Sequence, residues 1–184
     1  MVGRNLKLMP VISAMLICLA SCGYHFSGEG AGPKPGLVRI AIPVFENKTS
    51  EPDLGAKIAE ALRQEFIRKG NMKVVTVAEA EAVFKGTVTN IRVIPVGHHA
   101  VSAVSNQITV QNMILLSADI RCEDKQTHKI IWRSPNFTVH QFYQTNNNPL
   151  QPDPVTGFDN RQAALDFLAQ DMSRRVHDNF LENF

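Results

Sequence analysis

The chain has 184 residues, 44% hydrophobic and 20% charged, the composition of a folded domain and of neither a disordered nor a collagen-like chain. Lysine and arginine number 19 against 17 acidic residues; loss of Arg4 and Lys7 with a leader would balance them, so overall charge makes no case for nucleic acid. The longest apolar run, Leu8 to Ala20, is interrupted by Pro10 and Ser13 and falls short of the roughly 20 residues a membrane-spanning helix needs.

Residues 1–21 read as a secretory signal, with Arg4 and Lys7 as a positive start, Leu8 to Ala20 as the apolar middle and Ala20-Ser21 as a small-residue exit. Leu19-Ala20-Ser21-Cys22 resembles the bacterial lipobox, so Cys22 is the expected lipid-attachment residue, its thiol carrying a diacylglyceryl group, with palmitate among the acyl chains, before the leader is removed in front of it. Two or three acyl chains anchor stably where one would not. Gly23 stands where many inner-membrane lipoproteins carry aspartate, which points to the outer membrane. Residues 22–36, rich in glycine with two prolines, form a flexible tether from the acylated cysteine. With Cys22 acylated, Cys122 is the single thiol of the mature chain, and no intramolecular disulfide is expected.

Residues 37–184 read as a single domain. Leu37 to Val44 is a strand by period two, with Val38, Ile40, Ile42 and Val44 on one side. Ser50 to Asp53 supply capping residues for a helix in which Leu54, Ile58, Leu62 and Phe66 recur every four positions, and Gly70 is its C-terminal cap. Met72 to Val77 is a short strand. Ala82 to Val96 is a longer one whose inward side changes phase after Val88, which predicts a bulge near Thr89 or Asn90. From Ile114 to Cys122 the even positions are apolar, while Ser117, Asp119 and Arg121 face water. Glu123 to Lys129 is a turn into the strand Ile130 to Tyr143, which Pro135 restricts to an edge or breaks. Residues 144–158 are an irregular loop, and a helix runs from about Asn160 to Phe180, capped by Asp159, with Leu165, Leu168, Met172, Val176 and Phe180 as its stripe. This order predicts an α+β two-layer sandwich: a mixed sheet of about four strands with two helices on one face.

The chain has no G-x-S-x-G elbow, no glycine-rich phosphate loop and no paired C-x-x-C, so an enzyme is not expected, and nothing calls for a cofactor or a metal. His98 and His99, adjacent in a strand, would point to opposite faces and make a poor metal pair. Cys122 ends an apolar face and is assigned to packing. Trp132, Arg133, Phe142 and Tyr143 read first as half-buried sheet positions. Arg92, Arg121, Lys125, Lys129 and Arg133 lie on the central strands and their connecting turn. If the sheet brings them together they suit anionic sugar phosphates.

CGYHFSG at the acylation site, VRIAIPVFENKTSEPDLGAKIAEALRQEF, AEAVFKGTVTNI and the Arg161 to Val176 helix after an irregular loop together resemble the LptE family of lipopolysaccharide-assembly lipoproteins. The resemblance covers Cys22 to about Leu181 and rests on the order and spacing of these segments. It implies a lipid-anchored outer-membrane protein that plugs the LptD β-barrel and helps it insert lipopolysaccharide into the outer leaflet, in a non-catalytic role. Arg92, Arg121, Arg133, His98 and His99 are then the candidate lipopolysaccharide or anion contacts, and Asn146, Asn147 and Pro149 the candidate contacts to the barrel lumen. The hairpin His98 to Asn106 and the loop 144–158 carry no Arg or Lys, a departure from the basic residues credited to the family there. The first half of the domain also resembles CsgG- and LpoB-type lipoproteins, secretion-pore subunits or activators of peptidoglycan synthases. The short tether and the terminal helix favour LptE.

Overall fold

The computed structural model describes residues 32–100, 108–146 and 154–182. The leader, Cys22, most of the tether, the turn of the His98 to Asn106 hairpin, Asn147 and Pro149 lie outside the described residues. In chain order the elements are β1 (Arg39–Ala41), β2 (Glu46–Asn47), α1 (Leu54–Lys69), β3 (Lys73–Val74), β4 (Ala82–Ala100), β5 (Ile108–Asp124), β6 (Ile130–Asn146) and α2 (Pro154–Glu182).

The strands form one mixed sheet of order β3-β1-β4-β5-β6, with β2 also beside β4. β1 pairs in parallel with β3 and β4, whereas β4-β5 and β5-β6 are long antiparallel pairs. The α+β class holds, but the sheet has six strands and not about four. Five of the six correspond to strands placed along the sequence; the sixth, β2, lies just beyond the expected strand Leu37 to Val44, of which only Arg39–Ala41 is strand. Pro43 lacks the N–H a ladder needs, so the chain pairs with β4 at Ile40-Ala41, leaves it, and pairs again at Glu46-Asn47. The period-two reading fails here: Val38 and Val44 are exposed, while Ile40, Ala41 and Ile42 are all buried.

α1 matches its periodic signal. Leu54, Ile58, Leu62 and Phe66 have no exposed surface. Gly70 takes a left-handed φ of 71° and donates its N–H to the Phe66 carbonyl at 3.0 Å. The N-terminus differs from expectation: Asp53 is left-handed with φ 61° and makes no side-chain cap. Ahead of it, Asn47 ties the turn instead. Its Nδ2 donates to the Glu51 carbonyl at 2.7 Å and its Oδ1 accepts from the Thr49 N–H at 3.0 Å.

The register of β4 on β5 shifts between Val88 and Asn90, where the phase change in the sequence predicts a bulge. β6 is the edge strand of the sheet, as Pro135 requires. Its irregularity falls opposite Asp119, whose Oδ1 accepts the N–H of Asn136 at 2.6 Å, with Asn136 at φ 49°. α2 begins at Pro154, six residues before the expected start, and β6 runs on to Asn146. The expected loop 144–158 is shortened from both sides.

α1 and α2 pack against each other and onto one face of the sheet. Their buried stripes meet Phe84, Val88, Ile114, Leu116, Ala118, Ile120 and Cys122 in one core. At one end of it Phe66, Phe84, Trp132 and Phe180 form an aromatic cluster with neighbouring centroids 4.9–6.1 Å apart. No helix among the described residues is long and apolar enough to cross a membrane.

Candidate functional site

With both helices on one face, the other face of β4, β5 and β6 is left open, and the register arranges it in cross-strand rows. Lys85, Arg121 and Arg133 share one row, Thr87 and the exposed Asp119 the next, and Asn90, Ser117 and Thr138 the one after that. Arg92, Leu115 and His140 then line up, followed by Ile94, Met113 and Phe142.

The first row is basic but largely neutralised. Glu123, two positions beyond Arg121 on β5, takes Lys85 Nζ at 2.6 Å on one oxygen and Arg121 Nε at 2.7 Å on the other. Those hydrogen bonds hold the Glu123 carboxyl below the usual carboxylate range. Arg133 is exposed and has no acidic partner among the described residues. The predicted cationic cluster is therefore split. Arg121 and Arg133 are register partners, whereas Arg92 is aligned with Leu115, six positions along β5 from Arg121, or about 20 Å at strand rise. Lys125 and Lys129 belong to the turn after β5 and lie outside these rows.

The two outer rows carry what sequence reasoning missed. Ile94, Met113 and Leu115 are only half-buried and Phe142 is 45% exposed, an apolar strip on the face that no helix covers. The rings of His140 and Phe142 meet edge to face with centroids 5.9 Å apart. The signal was present in Met113-Ile114-Leu115-Leu116, four apolar residues in succession, which mark a strand segment apolar on both faces. Phe142 and Arg133 thus belong to the open face, whereas Trp132 is core, as expected, and Tyr143 packs partly against the core.

Other sequence candidates separate cleanly. Cys122 is fully buried, and desolvation pushes its thiol far above the ordinary range, so it is packing and not a reactive group. His98 and His99 occupy successive positions of β4, opposite Val110 and Thr109. Asn146 pairs with Thr109 at the end of β6. No three His, Cys, Asp or Glu side chains converge among the described residues. A groove of about 470 Å³ between β6 and α2 is lined by Gln111, Phe142, Tyr143, Gln144, Asn160 and Phe167, so that Phe142, on the edge strand, also borders α2; Asn160 Nδ2 donates to the Gln144 carbonyl at 2.9 Å. Near the start of α2, Arg161 donates to both oxygens of Glu51, at 2.9 and 2.5 Å. This bond is the main cause of the lowered Glu51 pKa, and it ties the terminal helix to the turn before α1.

No curated protein matches the chain significantly by sequence. Among solved structures, a candidate lipoprotein from Caulobacter crescentus CB15 superposes with a TM-score of 0.50 at 12% identity, over 75% of this chain and 88% of that one. Lipoprotein B from Nitrosomonas europaea gives 0.45 at 12% identity, over 86% and 90%. A minor lipoprotein from Acinetobacter baumannii gives 0.41 at 10%, over 79% and 91%. At such identities the likeness to the Caulobacter protein is one of fold. The family model described as LptE, lipopolysaccharide-assembly, matches residues 37–180, β1 through nearly all of α2. That span includes the second half of the domain, where the resemblance to CsgG- and LpoB-type chains ends, and so this chain belongs to the LptE family of lipopolysaccharide assembly.

Proposed function

We propose that this protein is held in the outer membrane by acyl chains on Cys22 and plugs the lumen of the LptD β-barrel. There it would help the barrel assemble and insert lipopolysaccharide into the outer leaflet. Family membership gives the chain a role in lipopolysaccharide transport within a family of non-catalytic envelope lipoproteins. The observation that carries the finer reading is the open sheet face, where Ile94, Met113, Leu115 and Phe142 form an uncovered apolar strip on long, register-locked strands. Uncovered apolar strips of this kind mark contact surfaces. A barrel wide enough for a glycolipid needs its lumen occupied or it leaks. Arg92 and Arg133, on the same face without acidic partners among the described residues, are the proposed contacts to anionic groups of the glycolipid. Arg121, held by Glu123, is secondary. His98 and His99 are proposed as further glycolipid contacts, and Asn146, Asn147 and Pro149 as contacts to the lumen wall.

A photo-crosslinking residue placed at Leu115 or Phe142 tests this in intact cells. Crosslinks to one large β-barrel are expected from both positions, and from neither Lys57 nor Gln64 on α1. Reaction with solvent alone at Leu115 and Phe142 would contradict it.

A further inference from the structure

Five strand ends meet at one rim of the sheet, and the register fixes which residues share it. Lys73 opens β3 opposite Arg39 at the start of β1. Glu81, just before β4, donates its N–H to the Arg39 carbonyl at 2.9 Å, and Lys125, just after β5, donates its N–H to the Glu81 carbonyl at 2.9 Å. Lys129 precedes β6, and its carbonyl accepts the Asp124 N–H at 2.9 Å. At about 4.8 Å per strand, these ends make a row about 20 Å long with a cation at four of five positions.

Of the acids at this rim, Asp124 is paired with Lys34, Glu79 is exposed beside Lys125, and Glu81 is already engaged. Glu81 accepts the N–H groups of Val38 and Arg39 at 3.0 and 3.2 Å and pairs with the Arg39 guanidinium at 3.0 Å. Lys73 and Lys129 are exposed with no acidic partner among the described residues, and Lys125 Nζ reaches only the Ala78 carbonyl. The charge is also polarised along the molecule. Residues 93–120 and 134–160, which include the far portions of β4, β5 and β6, contain no Lys or Arg.

The N-terminal segment enters the domain at this rim. Lys34 Nζ bonds Asp124 Oδ2 at 2.6 Å, and Gly32 lies so close to Met72 that a Cβ there would sit 2.8 Å from its Cε. Gly32 lies ten residue steps after Cys22. At about 3.5 Å per extended residue, the rim stays within about 35 Å of whatever holds Cys22. A cationic row of this kind is drawn to an anionic leaflet within a Debye length of its surface.

We propose that this rim is a docking surface for anionic phospholipid headgroups, on which the anchored domain rests before a barrel takes it up, with the open sheet face left free. The proposal rests on the acylation of Cys22 in the reading above. The acylated full chain, reconstituted in phosphatidylcholine vesicles or in vesicles with about 30% phosphatidylglycerol, is treated with an amine-acetylating reagent and each lysine is followed by mass spectrometry. Acetylation of Lys73, Lys125 and Lys129 is expected to slow about threefold or more in the anionic vesicles, with full reactivity returning at about 0.5 M salt. Lys48, level with Val88 and about 20 Å along β4 from the rim, and Lys57, near the end of α1 away from β3, should react equally in both. Equal reactivity of the rim lysines in the two vesicles would overturn the proposal. So would protection that needs lipopolysaccharide and is absent with phosphatidylglycerol. Flotation with neutral vesicles reads the anchor separately. A chain that fails to float there contradicts acylation, and the rim is then judged by flotation with anionic vesicles alone: binding supports it, no binding overturns it.

Discussion

Phe45 sits between two glycines that are distant from each other in sequence, and its seat explains both. A Cβ at Gly86 would lie 2.3 Å from the Phe45 ring, and a Cβ at Gly55 would lie 2.1 Å from the Phe45 carbonyl oxygen. The Phe45 N–H also bonds the Gly55 carbonyl at 3.4 Å. Rings shift more easily than backbone, so we expect Gly86→Ala to cost about 1–3 kcal/mol as an overpacking change and Gly55→Ala to cost more, both read from urea unfolding. Equal stability of the two variants and the native protein would show that Phe45 is not wedged. A second residue-scale prediction concerns acid. Asp124 accepts the Lys34 ammonium and the N–H groups of Gln126 and Thr127, and the Lys34 bond first among these holds its carboxyl well below the usual range. A carboxyl depressed by folding stabilises above its unfolded pKa of about 4, and that contribution fades as pH falls toward the folded value. Glu51, Glu81 and Glu123 are depressed in the same direction. Thermal stability should therefore drop as pH falls below about 4, and Asp124→Asn should be less stable at neutral pH with a shallower acid limb. An unchanged limb would place the dependence elsewhere. The long-range partnerships, Asp124 with Lys34, Glu51 with Arg161, Glu81 with Arg39 and Glu123 with Lys85, were not legible in the sequence because only the fold brings them together, whereas the Asp124 bonds to Gln126 and Thr127 are local to the turn after β5.

At the scale of elements, what was legible depended on where the determining interactions lie. α1 was readable because its burial has one period and its C-terminal glycine is a local signal. The bulge after Val88 and the edge position of β6 were readable because a phase change and a proline act on their own strand. The start of α2 was misplaced by six residues because Gly157 and the prolines around it suggest a loop, whereas the chain there is helical from Pro154. β1 was misread because it is buried on both sides, which period two cannot describe. The face assignments yield a comparison. Leu62→Asp and Ile120→Asp each place a charge where the native side chain is at most 1% exposed, and each should cost more than about 3 kcal/mol or prevent folding. Arg121→Ala, on the open face, removes a surface ion pair worth about 1 kcal/mol or less. Similar melting temperatures for all three would invert the assigned faces.

The molecule as a whole has one face built for its core, another left open, and a rim to which the N-terminal segment leads. Overall charge near balance hid both surface features: cations gather at the rim, and the apolar strip lies on the open face. The family was readable from the order of several loose segments, while the apolar strip on the open face emerged only when the register aligned Ile94, Met113 and Phe142 in one row. Cys22→Ala should abolish metabolic labelling with fatty acid and leave the leader uncleaved by the lipoprotein peptidase; labelling that persists would remove the anchor. The central claim is the partner. An affinity tag after Phe184, extraction of the outer membrane in mild detergent and mass spectrometry of what copurifies in equal amount test it most directly. The account predicts one large β-barrel; a peptidoglycan synthase, a ring of this chain alone, or no partner would contradict it.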